Sequence, residues 1–77
     1  MKIYVEVIAK FSADGQLMPV EVIWEDGRKY HVDRVLRIER CASRKAGGVG
    51  IMYTCMIEGK RSHLFYEVDK WFVNKKE

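Results

Sequence analysis

The sequence predicts a small all-β antiparallel fold curled into a barrel, and three observations carry that expectation. Apolar residues recur with period two along most of the chain, the spacing of a strand that buries one face. Turn dipeptides such as Asp14-Gly15 and Gly59-Lys60 punctuate it at close intervals. No stretch holds a convincing spacing for an amphipathic helix. The pattern gives about six or seven short strands, and closing them into a barrel hides edges that a small open sheet would expose.

The first strand runs from Lys2 to Phe11. Ile3, Val5, Val7, Ala9 and Phe11 share one face, while Lys2, Tyr4, Glu6, Ile8 and Lys10 share the other. A two-residue type I′ turn at Asp14-Gly15 would set Phe11 opposite Met18, Ala9 opposite Val20, and Val7 opposite Val22. Pro19 lies near the start of the second strand, where an edge position tolerates it. The second turn, Glu25-Asp26-Gly27, reads as a three-residue loop with Gly27 left-handed. That loop sets Trp24 opposite Arg28, Val22 opposite Tyr30 and Val20 opposite Val32, whereas a slip of one residue would mix the faces.

Beyond Tyr30 the apolar phase continues through Leu36 and Ile38, with Val35 out of step. A bulge or bend near Asp33-Arg34 accounts for this, and a helical turn across Val32, Val35 and Leu36 is the alternative. Ser43 to Gly50 is a loop rich in glycine and basic residues. Ile51, Tyr53, Cys55 and Ile57 then form an inward strand face. A hairpin at Gly59-Lys60 would place Ile57 opposite Ser62, Cys55 opposite Leu64, Tyr53 opposite Tyr66 and Ile51 opposite Val68. Asp69-Lys70 turns into a last short strand, Trp71 to Val73, before a frayed tail.

The stretch Pro19…Trp24…Gly27-Arg28…Tyr30…Val32…Val35, together with Trp71, resembles small uncharacterised bacterial all-β domains that carry a W-x-x-G-R-x-Y-x-V hairpin. The resemblance covers roughly residues 19 to 73. It implies an SH3-like barrel, and it brings no activity, cofactor or site residue. Combined with the strand pattern, the expected architecture is a single β domain over residues 1–77, an SH3-like or partly open barrel.

Length and composition narrow the function. At 77 residues the chain is too short for separate cofactor and substrate domains, and its hydrophobic content of 48% excludes a disordered tail. A domain of this size buries only about 60% of its unfolded surface, so nine aromatic residues and association between copies are the natural supplements. Two cysteines, Cys41 and Cys55, fall short of a disulfide framework. With no signal-peptide pattern and no run of about 18 apolar residues, the expectation is a cytoplasmic protein with reduced thiols and no membrane partner.

No motif announces chemistry. His31, Cys41, Cys55 and His63 are the candidate zinc ligands, but they lack the close pairing of a zinc knuckle, so neither metal nor cofactor is expected. There is no nucleophile elbow, and strand parity puts Cys55 and His63 on opposite faces, so an enzyme is not expected either. Arg44 to Gly50 could cradle an anion on glycine N–H groups, yet it lacks the phosphate-loop pattern and reads as a hairpin tip.

Two surfaces remain. The outer face of the last hairpin carries Met52, Met56, His63 and Phe65, residue types suited to a protein partner or to a homodimer. Residues 34 to 45 hold five cations, including Arg37, Arg40, Arg44 and Lys45, against the single acid Glu39, a surplus of four. The other residues hold nine basic and ten acidic groups, so the net charge of +3 is concentrated in one strip. Such a strip suits phosphate, and nucleic-acid binding is the alternative to protein association. The expected role is a non-catalytic binding module.

Overall fold

The computed structural model describes residues 1–42 and 49–74 of the chain. Six antiparallel strands close into a small β-barrel in chain order: β1 (Lys2–Phe11), β2 (Leu17–Ile23), β3 (Lys29–Ala42), β4 (Val49–Ile57), β5 (Lys60–Glu67) and β6 (Lys70–Asn74). Two long strands divide their length between their two neighbours. β1 pairs with β6 through Lys2 to Val5 and with β2 through Glu6 to Phe11. β3 pairs with β2 through Lys29 to His31 and with β4 from Val32 onward. No helix among the described residues is long and apolar enough to cross a membrane.

The core is built from the inward faces that the alternation specifies. Val22, Val32, Tyr53, Cys55 and Leu64 are buried, and Val5, Val7, Val35, Ile51, Ile57, Tyr66, Trp71 and Val73 pack against them. Burying each such aliphatic side chain contributes about 1.5–3 kcal/mol. Trp71 sits between two tyrosines, with ring centroids 5.3 Å from Tyr53 and 4.8 Å from Tyr66. Tyr53 is wholly buried, and its hydroxyl donates to the Leu17 carbonyl at 2.6 Å. That bond satisfies the one polar atom the ring brings inside.

The first hairpin differs from the two-residue turn expected. Ala13-Asp14-Gly15 form a three-residue loop with Gly15 at φ 87°, closed by the Ser12 N–H to the Gln16 carbonyl at 2.8 Å. The Ser12 hydroxyl stabilises this loop: it donates to the Asp14 carboxylate and accepts the Gln16 N–H at 3.0 Å. Phe11 therefore meets Leu17 and Ala9 meets Pro19, one residue from the expected pairs. A bulge at Val20 restores the register, and Val7 meets Val22 as expected. Phe11, expected inside, is 74% exposed, because it belongs to the last pair of the ladder.

The second hairpin has the three-residue loop expected. Gly27 is left-handed at φ 87°, Trp24 N–H donates to the Arg28 carbonyl at 2.8 Å, and Val22 pairs with Tyr30. The expected pair of Val20 and Val32 does not form. The Val20 bulge turns β2 aside while β3 bends toward β4, so their ladder ends at Glu21 and His31.

β3 is continuous strand and carries bulges at Asp33 and Leu36, not a helical turn. Each bulge reverses the alternation, which sends Val35 inward and leaves Leu36 exposed, the opposite of the expected phase. Val32 and Val35 thus point inward three positions apart, and Ile38, opposite Tyr53, follows at the same spacing but is 38% exposed. Asp33, the first bulged residue, accepts the Gly59 N–H at 3.0 Å. This helps hold the next turn at Glu58-Gly59, with φ of 47° and 81°, the type I′ signature. The turn thus lies one residue before the expected Gly59-Lys60. Ile57 pairs with Lys60, Cys55 with Ser62, Tyr53 with Leu64 and Ile51 with Tyr66, two positions from the expected partners. An even shift preserves the faces. The last turn is Val68-Asp69, again one residue early, and both residues are left-handed at φ 50° and 60°.

Candidate functional site

The outer side of β3 to β6, continued onto β1, gathers Met52, Met56, His63, Phe65 and Arg37. Cross-strand neighbours stand about 4.5–5.5 Å apart at Cβ and form rows across the strands. One row runs Glu39, Met52, Phe65, Phe72, Tyr4. The next runs Arg37, Thr54, His63, and the one after it Arg34, Met56, Arg61. Met52, Met56, His63 and Phe65 therefore share one face, and Met52 and Phe65 are direct partners.

Aromatic contacts order the first row. Phe65 stacks on Phe72 with centroids 5.2 Å apart and planes 8° from parallel. Tyr4 meets the same ring edge-on at 5.8 Å. Lys2 completes the cover: its Nζ lies 4.6 Å from the Phe72 centroid and 2.9 Å from Glu67 Oε1. Glu67 holds the Lys2 ammonium above its ordinary pKa, chiefly through this hydrogen bond. Phe72 consequently points away from the barrel interior yet is only 2% exposed. Phe65, Met52 and Met56 are half-buried, whereas Tyr4 is 57% exposed with Lys70 Nζ 5.6 Å above its ring.

Thr54 is 3% exposed despite its outward position, because Met52, Met56, Arg37 and His63 surround it in the ladder. Its Oγ1 lies 3.3 Å from His63 Nδ1, a hydrogen bond whose direction follows the imidazole tautomer. The His63 ring is thereby oriented on an otherwise exposed side chain.

The basic strip is divided. Arg37 faces outward opposite Thr54 and its Nε meets Glu39 Oε1 at 3.0 Å. Arg40 is opposite Ile51, in phase with the barrel interior, so it does not share a face with Arg37. Arg44, Lys45 and the glycine-rich loop lie outside the described residues. Arg34, the first cation of the strip, and Arg61, not singled out from the sequence, flank Met56 on the outer face. Phe72 and Tyr4 were also missed as partners of Phe65. Alternation around Trp71 and Val73 points Phe72 outward, but only the Val68-Asp69 turn sets it beside Phe65.

The titratable candidates are dispersed. Cys55 is buried in the core, and desolvation pushes its thiol up to about 11. His63 stands on the other side of the sheet, beside Thr54. Cys41 and Cys55 are both free thiols. Among the described residues no group of three or more His, Cys, Asp or Glu is arranged to hold a metal ion. Compared with known proteins, the chain matches no family model, no curated protein and no solved structure.

Proposed function

We propose that this chain is a non-catalytic binding module that meets a protein surface, foremost a second copy of itself, through the outer face of Met52, Met56, His63 and Phe65. The row from Met52 through Phe65 and Phe72 to Tyr4 carries this reading. It is an apolar and aromatic strip on the outside of a barrel whose inside is already filled, and Met and aromatic side chains are characteristic of interfaces. The face is also polar along its length. Arg34 and Arg61 flank Met56 toward one end, while Glu39 and Glu67 toward the other are paired with Arg37 and Lys2. A non-catalytic role is supported by the burial of Cys55, whose raised pKa opposes thiolate formation. A cytoplasmic location, supported by the two free thiols, and an SH3-like kinship of the barrel belong to the same proposal.

Sedimentation across a range of concentrations tests it. The expected result is a monomer–dimer equilibrium that Phe65→Glu and, separately, Met56→Glu shift to monomer while circular dichroism is retained. Concentration-independent monomer behaviour of the unaltered chain would overturn the self-association reading. Nucleic acid is the second reading, favoured by the cations Arg34, Arg37 and Arg61 around Thr54 and Met56. It involves Arg37, Arg40, Arg44 and Lys45 as the phosphate contacts. Binding of a labelled oligonucleotide at low salt, weakening steeply as salt rises, would put it first.

A further inference from the structure

The strands β3-β4-β5-β6-β1 form one curved sheet, and β3 is its edge. β2 parts from β3 after Glu21 and His31, so among the described residues no strand pairs with the side of β3 away from β4 between Val32 and Ala42. In an antiparallel strand, alternate residues direct their N–H and C=O to the same side. About half of these positions therefore present a donor and an acceptor outward. Charges and bulges commonly blunt such an edge, and Asp33 and Leu36 supply the bulges here.

Blunting does not account for what lies beside it. Where β2 and β3 diverge, an open-sided cleft of about 270 Å³ is lined by Met18, Pro19 and Val20 on one wall and Val32 and Val35 on the other. Lys10, His31, Asp33 and Arg34 also line it. The two walls are unequal templates. On β2, Pro19 has no N–H to offer and the Leu17 carbonyl is taken by the Tyr53 hydroxyl at 2.6 Å. β3 has neither impediment, so an added backbone would pair with β3.

Charge decides the occupant. Arg37 is occupied by Glu39 and Asp33 by the Gly59 N–H. Lys10, Arg34 and Arg40 have no ion pair among the described residues. A second copy added along β3 would bring its own Arg34 and Arg40 beside this pair of cations, concentrating like charge along the seam. A carboxylate-bearing strand avoids that repulsion and offers an acceptor to Arg34 on the outer face, while Arg40 adds positive charge from the other face.

We propose that the β3 edge and its cleft take an extended acidic peptide of a partner protein by strand addition, with one apolar side chain seated between Val20, Val32 and Val35. Main-chain bonds supply affinity and the cleft supplies selectivity, the division of labour general to this mode of recognition. The proposal shares Arg34 with the outer face but makes no use of Met52, Met56 or Phe65.

The test uses isotope-labelled full chain and a blocked peptide of alternating valine and glutamate, with alternating valine and lysine as the control. The expected result is saturable amide shifts at residues 32–40 and at Val20, with cross-strand contacts between peptide and β3 α-protons. The glutamate peptide should bind about tenfold more tightly than the lysine peptide at low salt. The double variant Arg34→Glu/Arg40→Glu, altering exposed side chains only, should reverse that preference, and Phe65→Glu should leave it unchanged. Equal binding of both peptides, shifts confined to Met52 and Phe65, or no shift at millimolar peptide would each overturn the proposal. So would β3 contacts between two copies in the absence of peptide.

Discussion

Cys55 and Val68 illustrate opposite fates of a small apolar residue in this chain. Cys55 is buried, and its thiol is pushed from 9.0 to about 11 by loss of solvent. The folded state then keeps a proton that the unfolded chain releases above about pH 9, so stability is intact below that point and falls as pH rises toward about 11. A shift of this size corresponds to about 3 kcal/mol at most. Cys55→Ala should flatten the fall in urea midpoint between about pH 8 and pH 11. Part of the fall should remain, because burial also raises the Tyr53 hydroxyl. Equal loss in both proteins would remove Cys55 as the titrating group. Val68 is exposed and left-handed at φ 50°, a conformation that a β-branched side chain resists by roughly 1–2 kcal/mol. Val68→Asn should raise stability by about 1 kcal/mol, read as a higher thermal midpoint, since asparagine tolerates this region. No residue preference marked Val68-Asp69 as a type I′ turn, whereas Gly27 declared its left-handed loop and Asp14-Gly15 marked the place of the first turn but not its length. That is why the last turn was legible only to within one residue.

Among the elements, faces were more legible than partners. The alternation of Ile51, Tyr53, Cys55 and Ile57 assigns β4 its inward side, because burial enforces a period of two. Which residue of β5 stands opposite depends instead on the turn, and there an even displacement leaves the burial pattern untouched. The β1–β2 hairpin shows the same economy: a longer loop and the Val20 bulge cancel, and Val7 still meets Val22. β3 was hardest to read because its two bulges convert the expected period of two into three, a spacing easily confused with one helical turn. Asp33 connects that irregularity to the neighbouring hairpin through the Gly59 N–H. Asp33→Ala should cost about 1 kcal/mol. It should also move the Glu58 and Gly59 amide resonances more than those of the distant Val68-Asp69 turn. An effect spread evenly over both turns would argue against a local tie.

For the molecule as a whole, the candidate face illustrates how pairing combines what the linear sequence separates. Met52 and Phe65 lie in one hairpin and were visible together, but Tyr4, Lys2 and Phe72 join them only when β1 closes onto β6. Closure on the other side is slighter, since β2 and β3 share three pairs. The Tyr53 hydroxyl reaches from inside the barrel to the Leu17 carbonyl of β2 and reinforces that side. Tyr53→Phe should therefore cost about 1 kcal/mol and loosen β2 in particular, checked by a lower urea midpoint and altered Leu17 and Met18 resonances. A ladder so short also implies an order of opening. In native-state hydrogen exchange, β2 should leave β3 in a partial event well below the global free energy, while β4 and β5, laddered on both sides, should exchange only when the entire molecule unfolds.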